Sequence, residues 1–462
     1  MIRLFKHYIP HAVMLLGLVD LLALFFAAEG GWIIRYGHVP EALGPFQDRL
    51  IPNLSFAVAL QFAMIAVGCY GTDALQSLRF AISRLLVAIS LGIILLALLL
   101  LAVPMVELWR SVSVIAMALA FGMLVCVRLM LGRLLGGEAF KRRLLVLGAG
   151  PRAARIEEVA NRTGAGFSVT GYVAMNDGPQ EIAGAINRRD IESLADHVVR
   201  LRASEVVLAL EERRNALPLA DLLRIKTTGV HVNELSTFME RETGRVDLDS
   251  INPSWLIFSD GFSSGRRLSG MAKRMFDIVA SGMLLVATAP LILLCAALVR
   301  LESPGGSFYR QQRIGLFGVP FNMIKLRSMR HDAEAGGEAI WAQANDPRIT
   351  RVGALLRMTR IDELPQAWSV LKGEMSFVGP RPERPSFVAD LESKIAYYAE
   401  RHMVKPGITG WAQINYPYGA SIEDARAKLE YDLYYAKNYT PFLDVLILLQ
   451  TVRVVLWPEG VR

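Results

Sequence analysis

At 462 residues and 53% hydrophobic composition, the chain is too long and too apolar to be one soluble domain. Its 50 Lys and Arg against 43 Asp and Glu leave a net charge of +7. In so apolar a chain that excess points to anionic lipid headgroups and phosphorylated substrates, and away from nucleic acid. Cys69, Cys126 and Cys295 sit inside apolar runs with no metal-ligand spacing, which excludes a disulfide framework and a zinc site.

Four apolar stretches come first, at roughly 12–34, 52–70, 84–103 and 110–131, each near the length a bilayer requires. Arg3 and Lys6 ahead of the first, with Ala27-Ala28 inside it, resemble a signal peptide; three further spans favour an uncleaved anchor. Basic residues gather at Arg3 and Lys6, at Arg79 and Arg84, and from Arg128 to Arg143, while the loops near 35–51 and 104–109 carry fewer. The positive-inside rule then places both ends of a four-helix transmembrane bundle, residues 1–140, in the cytoplasm. The spans are poor in charge apart from Asp20 and Glu29, which argues against a transporter or sensor with an ion or sugar path.

Residues 141–260 read as a Rossmann-like α/β domain. Strand-like runs at Leu144–Leu147, Phe167–Val173, Glu205–Ala209 and Val230–Val232 alternate with helical patterns. Gly148-Ala149-Gly150-Pro151-Arg152-Ala153 fits G-x-G-x-x-A between the first strand and a helix ending about Ala160. The acid expected some twenty residues on is missing, since that neighbourhood reads Tyr172-Val173-Ala174. Two readings stay open, a cofactor-free structural or regulatory domain and a nucleotide-binding one. The second would make the chain a nucleotide-sugar-modifying enzyme or oxidoreductase on a membrane anchor, although no Tyr-x-x-x-Lys pair serves it.

A fifth apolar segment, about Met275 to Val299 within an expected re-entrant helix at about 273–300, is interrupted by Ala289-Pro290. Lys273 and Arg274 precede it, and Arg300, Arg310, Arg313, Lys325, Arg327 and Arg330 follow. Basic flanks on both sides predict a segment that enters the cytoplasmic leaflet, turns at Pro290 and returns. Pro441 to Trp457 is apolar with Asp444 and Arg453 inside it, the pattern of an interfacial amphipathic helix.

Between these segments lie the residues for phosphate chemistry. Phe321 to Arg327 alternates as a strand, so Lys325 and Arg327 are expected on one face, where two cations could grip a diphosphate. Arg357 and Arg360 lead into Asp362-Glu363-Leu364-Pro365-Gln366, which opens a helical turn. There Asp362 reads either as an ordinary helix cap or as a nucleophile kept ionised by the helix N-terminus. Gly379-Pro380-Arg381-Pro382 holds a cation in a loop stiffened by proline, and Lys405-Pro406-Gly407-Ile408-Thr409-Gly410-Trp411 adds a cation and an aromatic platform.

In order and spacing, Lys273-Arg274-Met275-Phe276-Asp277, Lys325-Leu326-Arg327-Ser328-Met329, Asp362 to Gln366, Val378 to Pro382 and Lys405 to Gln413 resemble the monotopic phosphoglycosyl transferases, bacterial sugar transferases anchored by a re-entrant helix. The whole chain is similar to their large members, which prime exopolysaccharide or O-antigen assembly. The resemblance implies a catalytic α/β domain over 268–462, at the cytoplasmic face of the bacterial inner membrane. It implies transfer of a sugar 1-phosphate from a UDP-sugar to polyprenyl phosphate, with UMP released through a phosphosugar–aspartyl intermediate. Asp362 is then the nucleophile and Glu363 its assistant, both beside Mg²⁺; Lys325, Arg327, Arg357 and Arg381 are the phosphate and nucleotide clamps. A homodimer is implied as well. Three features depart from the pattern: Ala289-Pro290 where relatives have Ser-Pro at the bend, Lys405 where they have arginine, and a longer, more aromatic stretch from Ile414 to Ser421.

Overall fold

The computed structural model describes residues 2–4, 7–9, 11–37, 43–70, 78–103, 108–134, 141–161, 165–175, 180–211, 217–249, 251, 267–330, 347–417, 419 and 421–456. They form two compact units, Met1–Gly244 and Arg245–Arg462.

In the first unit the apolar stretches are the helices α1 (His11–Tyr36), α2 (Phe46–Val67), α3 (Leu78–Ala102) and α4 (Arg110–Leu134). Each is long and apolar enough to cross a membrane. Their shared core mixes large residues (Leu24, Phe56, Leu60, Leu85) with small ones (Ala27, Ala28, Ala116, Ala120). Small residues let the backbones approach: a Cβ on Gly31 of α1 would lie 2.9 Å from the Val112 carbonyl of α4. The charges inside are paired across helices. Asp20 takes both Arg128 nitrogens, at 3.0 and 2.8 Å, and the Tyr70 hydroxyl at 2.8 Å. Glu29 takes Arg49 at 2.6 Å and Asn53 at 2.8 Å. Arg128, read from the sequence as a flanking charge, is therefore the buried partner of Asp20.

The same unit holds a five-stranded parallel sheet of β1 (Arg142–Leu147), β2 (Phe167–Ala174), β3 (Ile186–Asn187), β4 (Glu205–Leu208) and β5 (His231–Glu234). The order is β3-β2-β1-β4-β5, that of a doubly wound fold. β1 is buried on both faces, Leu144 and Val146 in one core and Leu145 and Leu147 in another, hence its unbroken apolar run. Gly148 has φ +134°, and a Cβ there would lie 2.4 Å from the Ala209 carbonyl, so the glycine is required by the close approach of the β1 and β4 ends. In the turn that follows, the Ala149 carbonyl accepts from the N–H groups of Glu181 and Ile182, at 2.8 and 3.2 Å.

The first long helix of the second unit is the 36-residue α5 (Arg267–Glu302), which also meets the length and hydropathy of a membrane span. Helical structure continues through Pro290, where the sequence predicted a break; a proline inside a helix removes one hydrogen bond and need not end it. The antiparallel hairpin β6 (Phe308–Ile314) and β7 (Pro320–Leu326) comes next, then α6 (Arg351–Met358), a 3₁₀ turn at Ile361–Gln366 and α7 (Ala367–Lys372). Two short strands, β8 (Ser376–Val378) and β9 (Gly407–Thr409), pair in parallel. The long helices α8 (Ile422–Asn438) and α9 (Pro441–Leu456) close the unit. Val246 and Ile251 are buried in its core beside Leu429 and Leu433, ahead of the boundary at 268 drawn from the sequence.

Candidate active site

Asp362 and Glu363 are delivered by a tight turn between α6 and α7. Thr350 caps α6, its hydroxyl accepting from the Gly353 N–H at 3.0 Å. Gly353 lies against Ser328, where a Cβ would come within 2.0 Å of the Ser328 carbonyl. That contact brings the end of β7 onto α6, and Arg357 Nε donates to Ser328 Oγ at 3.1 Å. Arg360 then takes a left-handed conformation, φ 59° and ψ 15°, and the chain turns into the 3₁₀ segment. Ile361 and Leu364 pack against Val299 of α5 and Leu326 of β7, which fixes the turn from below.

Glu363 is the hub of the cations. Its Oε1 accepts from Lys325 Nζ at 3.0 Å and Arg381 Nη2 at 3.2 Å, with Arg360 Nη1 at 4.0 Å. Burial opposes its ionisation, but Arg381 and Lys325 overcome that and hold the carboxyl far below its usual range. Asp362 differs. It is 7% exposed, and its Oδ1 is buried with no hydrogen-bond partner among the described residues. Burial, then the Glu363 charge, push its carboxyl above the ordinary value, against Lys325, Arg357 and Arg360. Asp362 caps no helix, because the residue at the cap is Arg360, and burial, absent from the sequence argument, opposes the ionised form that a nucleophile needs.

Arg381 is aimed by packing behind it. Gly379 N–H donates to the Thr409 carbonyl and Gly407 N–H to the Pro380 carbonyl, both at 2.9 Å. A Cβ on Gly379 would lie 2.2 Å from the Lys405 carbonyl, so the strands meet only because a glycine stands there. The buried Arg401 donates to the Arg381 carbonyl at 3.0 Å and to Asp432 at 2.7 Å. Sequence reasoning missed Arg401 and Asp432, which lie 31 residues apart and in no short motif.

Lys325, Arg357 and Arg381 therefore gather at the dyad, and Arg327 does not. β7 ends at Leu326, and the buried Arg327 side chain turns to the end of α5, donating to the carbonyls of Ser303 and Pro304 at 2.8 Å each. Free carbonyls at a helix C-terminus attract a guanidinium, so Arg327 is a cap where the sequence suggested a clamp. The motif around Lys273 is also architectural. Lys273 pairs with Asp444 at 2.6 Å, Arg274 donates to the Val370 and Leu371 carbonyls at 2.7 Å, and Asp277 accepts from Ser376 and Phe377 at 3.0 and 3.1 Å. Lys405 is half-buried, its ammonium disfavoured by burial and then by Arg274, and it makes no contact with the dyad. Of the stretch 414–421, Tyr418 and Ala420 lie outside the described residues; Tyr416 bonds Asp424 at 2.9 Å, and Lys428 holds the Gly419 carbonyl at 2.6 Å.

Two neighbouring carboxyls with opposite shifts divide the work. Glu363 is a fixed anion that organises the cations, and Asp362 is a carboxyl with an uncommitted oxygen. No group of three or more His, Cys, Asp or Glu side chains that could hold a metal stands among the described residues. The unpartnered Oδ1 of Asp362 beside Glu363 fits a divalent cation whose other ligands are phosphate oxygens and water.

The family described as bacterial sugar transferase matches residues 268–458. The chain is similar to the UDP-N-acetylgalactosamine-undecaprenyl-phosphate N-acetylgalactosaminephosphotransferase of Aeromonas hydrophila, 41% identical over 241 residues, which are 52% of this chain and 56% of that protein. It is also similar to the UDP-glucose:undecaprenyl-phosphate glucose-1-phosphate transferase of Caulobacter vibrioides, 42% identical over 39% of this chain and 68% of the relative. An uncharacterized sugar transferase of Bacillus subtilis is 43% identical over 190 residues, 41% of this chain and 90% of that protein.

Proposed function

Because the chain belongs to the bacterial sugar transferase family, we propose that it is a phosphoglycosyl transferase moving a sugar 1-phosphate from a UDP-sugar to polyprenyl phosphate. The observation that carries the reading is Asp362, a buried carboxyl with a free oxygen, next to a carboxylate already neutralised by Lys325 and Arg381. Ionised Asp362 donates an electron pair from a carboxylate oxygen to the sugar-bearing phosphorus. The phosphoanhydride bond breaks, and its electrons leave on UMP. An oxygen of polyprenyl phosphate then attacks the same phosphorus. The aspartyl–phosphorus bond breaks, and Asp362 returns as a carboxylate. Lys325, Arg357 and Arg381 neutralise the phosphates while the carboxylate approaches. Mg²⁺, held by Asp362, Glu363 and the substrate's own phosphates, would supply further charge neutralisation.

The catalytic unit is proposed to lie on the cytoplasmic face of the bacterial inner membrane, where both substrates present their phosphates. Support comes from α5, whose two ends dock on one body. Asp277 near its start is held by Ser376 and Phe377, and its end by Arg327 and by Ser307, whose hydroxyl donates to the Ala296 carbonyl at 2.7 Å. A simple span would carry one end across the bilayer, so re-entry suits these contacts better. The resemblance to the large family members supports a homodimer. The alternative of a Rossmann-type oxidoreductase lacks the acid expected some twenty residues after the Gly148 turn and a Tyr-x-x-x-Lys pair to serve it.

The test is to incubate membranes carrying the chain with polyprenyl phosphate, Mg²⁺ and a panel that includes UDP-glucose and UDP-N-acetylgalactosamine, and to identify the nucleotide released. UMP is expected; UDP would mean ordinary glycosyl transfer, and neither would reject the proposal. Asp362→Asn should abolish UMP release and the acid-labile phosphosugar adduct on the protein. Turnover by that variant would exclude the covalent route.

A further inference from the structure

Arg360 is a second anomaly at the site. It is one of four non-glycine residues with positive φ among the described residues, at 59°, and it immediately precedes the segment carrying the dyad. Its backbone does what glycine does at a helix end: its N–H bonds the Arg357 carbonyl at 3.3 Å, and its carbonyl accepts from Glu363 N–H at 3.2 Å. Glycine meets this need without steric cost and asparagine at a reduced one, whereas an arginine is strained there. A strained residue beside a nucleophile invites a functional explanation. The side chain supplies one. The other cations are committed: Lys325 and Arg381 bond Glu363, and Arg357 bonds Ser328. The Arg360 guanidinium is 55% exposed and reaches only to 4.0 Å from Glu363, with no hydrogen-bond acceptor among the described residues. Its charge nonetheless acts on both Asp362 and Glu363.

We infer that Arg360 is a further catalytic residue, held over the dyad by its left-handed backbone so that its planar fork grips the diphosphate of the donor nucleotide. This rests on the proposed phosphoglycosyl transfer. In the first displacement the anhydride electrons move onto the departing UMP phosphate, and a bidentate guanidinium beside Glu363 stabilises that gain of charge. The acceptor step forms no nucleotide and needs the residue less.

The decisive variant is Arg360→Gly in the full chain, in nanodiscs, because glycine meets the backbone need and removes only the fork. Its melting temperature should match or exceed that of the parent, while the single-turnover burst of UMP without acceptor falls about 100-fold, the scale for losing one charge-stabilising donor. Arg360→Lys should recover part of the burst, since a point charge survives without the bidentate grip. A glycine variant that folds and releases UMP at the parental rate overturns the inference. If that variant is destabilised, Arg360→Lys decides, and a parental burst there overturns it equally. A parent chain that releases no UMP with any donor would instead reject the proposed function.

Discussion

Asp362 and Glu363 are neighbours on the backbone and opposites in electrostatics, which has consequences for stability. Asp362 is raised by burial and by Glu363, so its folded pKa lies above the unfolded value. Its contribution is present below the unfolded pKa and is lost as pH rises through the folded one, leaving an ionised, buried, unpartnered carboxylate as a cost at neutral pH. Glu363 is lowered by Arg381 and Lys325 despite burial. Its contribution is present above the unfolded value of 4.5 and is lost as pH falls toward the depressed folded one. At pH 7, then, Asp362→Asn should melt a few degrees higher than the parent while abolishing turnover, and Glu363→Gln should melt lower. Thermal melts in one detergent check both signs, and an Asp362→Asn variant less stable than the parent contradicts this electrostatic assignment. The residues that gather at the site were legible in the sequence as a carboxylate dyad with arginines and a lysine close by, a pattern suited to phosphate. The ionisation of Asp362 was not, since it depends on how deeply the turn is buried, and no local pattern records that.

Elements were legible where periodicity rules and illegible where partners are distant. The four apolar runs and the first strands of the sheet fall within six residues of their observed bounds. The pairing of Asp20 with Arg128, 108 residues away, leaves no trace in either helix pattern. Arg327 failed for a related reason. Strand alternation predicted its face correctly only if the strand continued, and β7 stops one residue earlier, leaving the side chain to cap α5. Arg327→Met should therefore strip the helix end of a partner for several carbonyls and lower stability by about 2–3 kcal/mol, the scale for buried acceptors left unsatisfied. The KM for the UDP-sugar should hardly move in the fraction that folds. Urea or thermal unfolding measured beside donor kinetics separates the two roles, and a raised KM with unchanged stability would restore Arg327 to the clamp. Gly379→Ala probes the neighbouring element. Its Cβ would strike the Lys405 carbonyl, push β8 from β9 and misplace Arg381, so activity should fall even where the fold survives.

At the scale of the molecule, the two units divide the chain unevenly with respect to the site, since every residue gathered around Asp362 belongs to Arg245–Arg462. The Bacillus relative is matched over 90% of its length by 190 residues of this chain, so a protein built almost wholly from this portion exists. A fragment of residues 245–462 in membranes should accordingly release UMP from the donor the full chain prefers. Inactivity of a folded, membrane-inserted fragment would show that the first unit contributes to the chemistry. Where the fragment starts matters. The family match begins at 268, but Val246 and Ile251 are 2% and 8% exposed within the core formed with Leu429 and Leu433, and the Val246 N–H bonds the Glu430 carbonyl at 3.0 Å. Removing both residues uncovers the side of α8 opposite the solvent and forfeits about 3 kcal/mol of apolar burial. A fragment of residues 268–462 should therefore melt well below the 245–462 fragment. Its loss of activity should follow its loss of fold, because Asp432, which holds the Arg401 that positions Arg381, is carried by the same helix. Equal melting temperatures for the two fragments would mean that 245–251 only rests on this core.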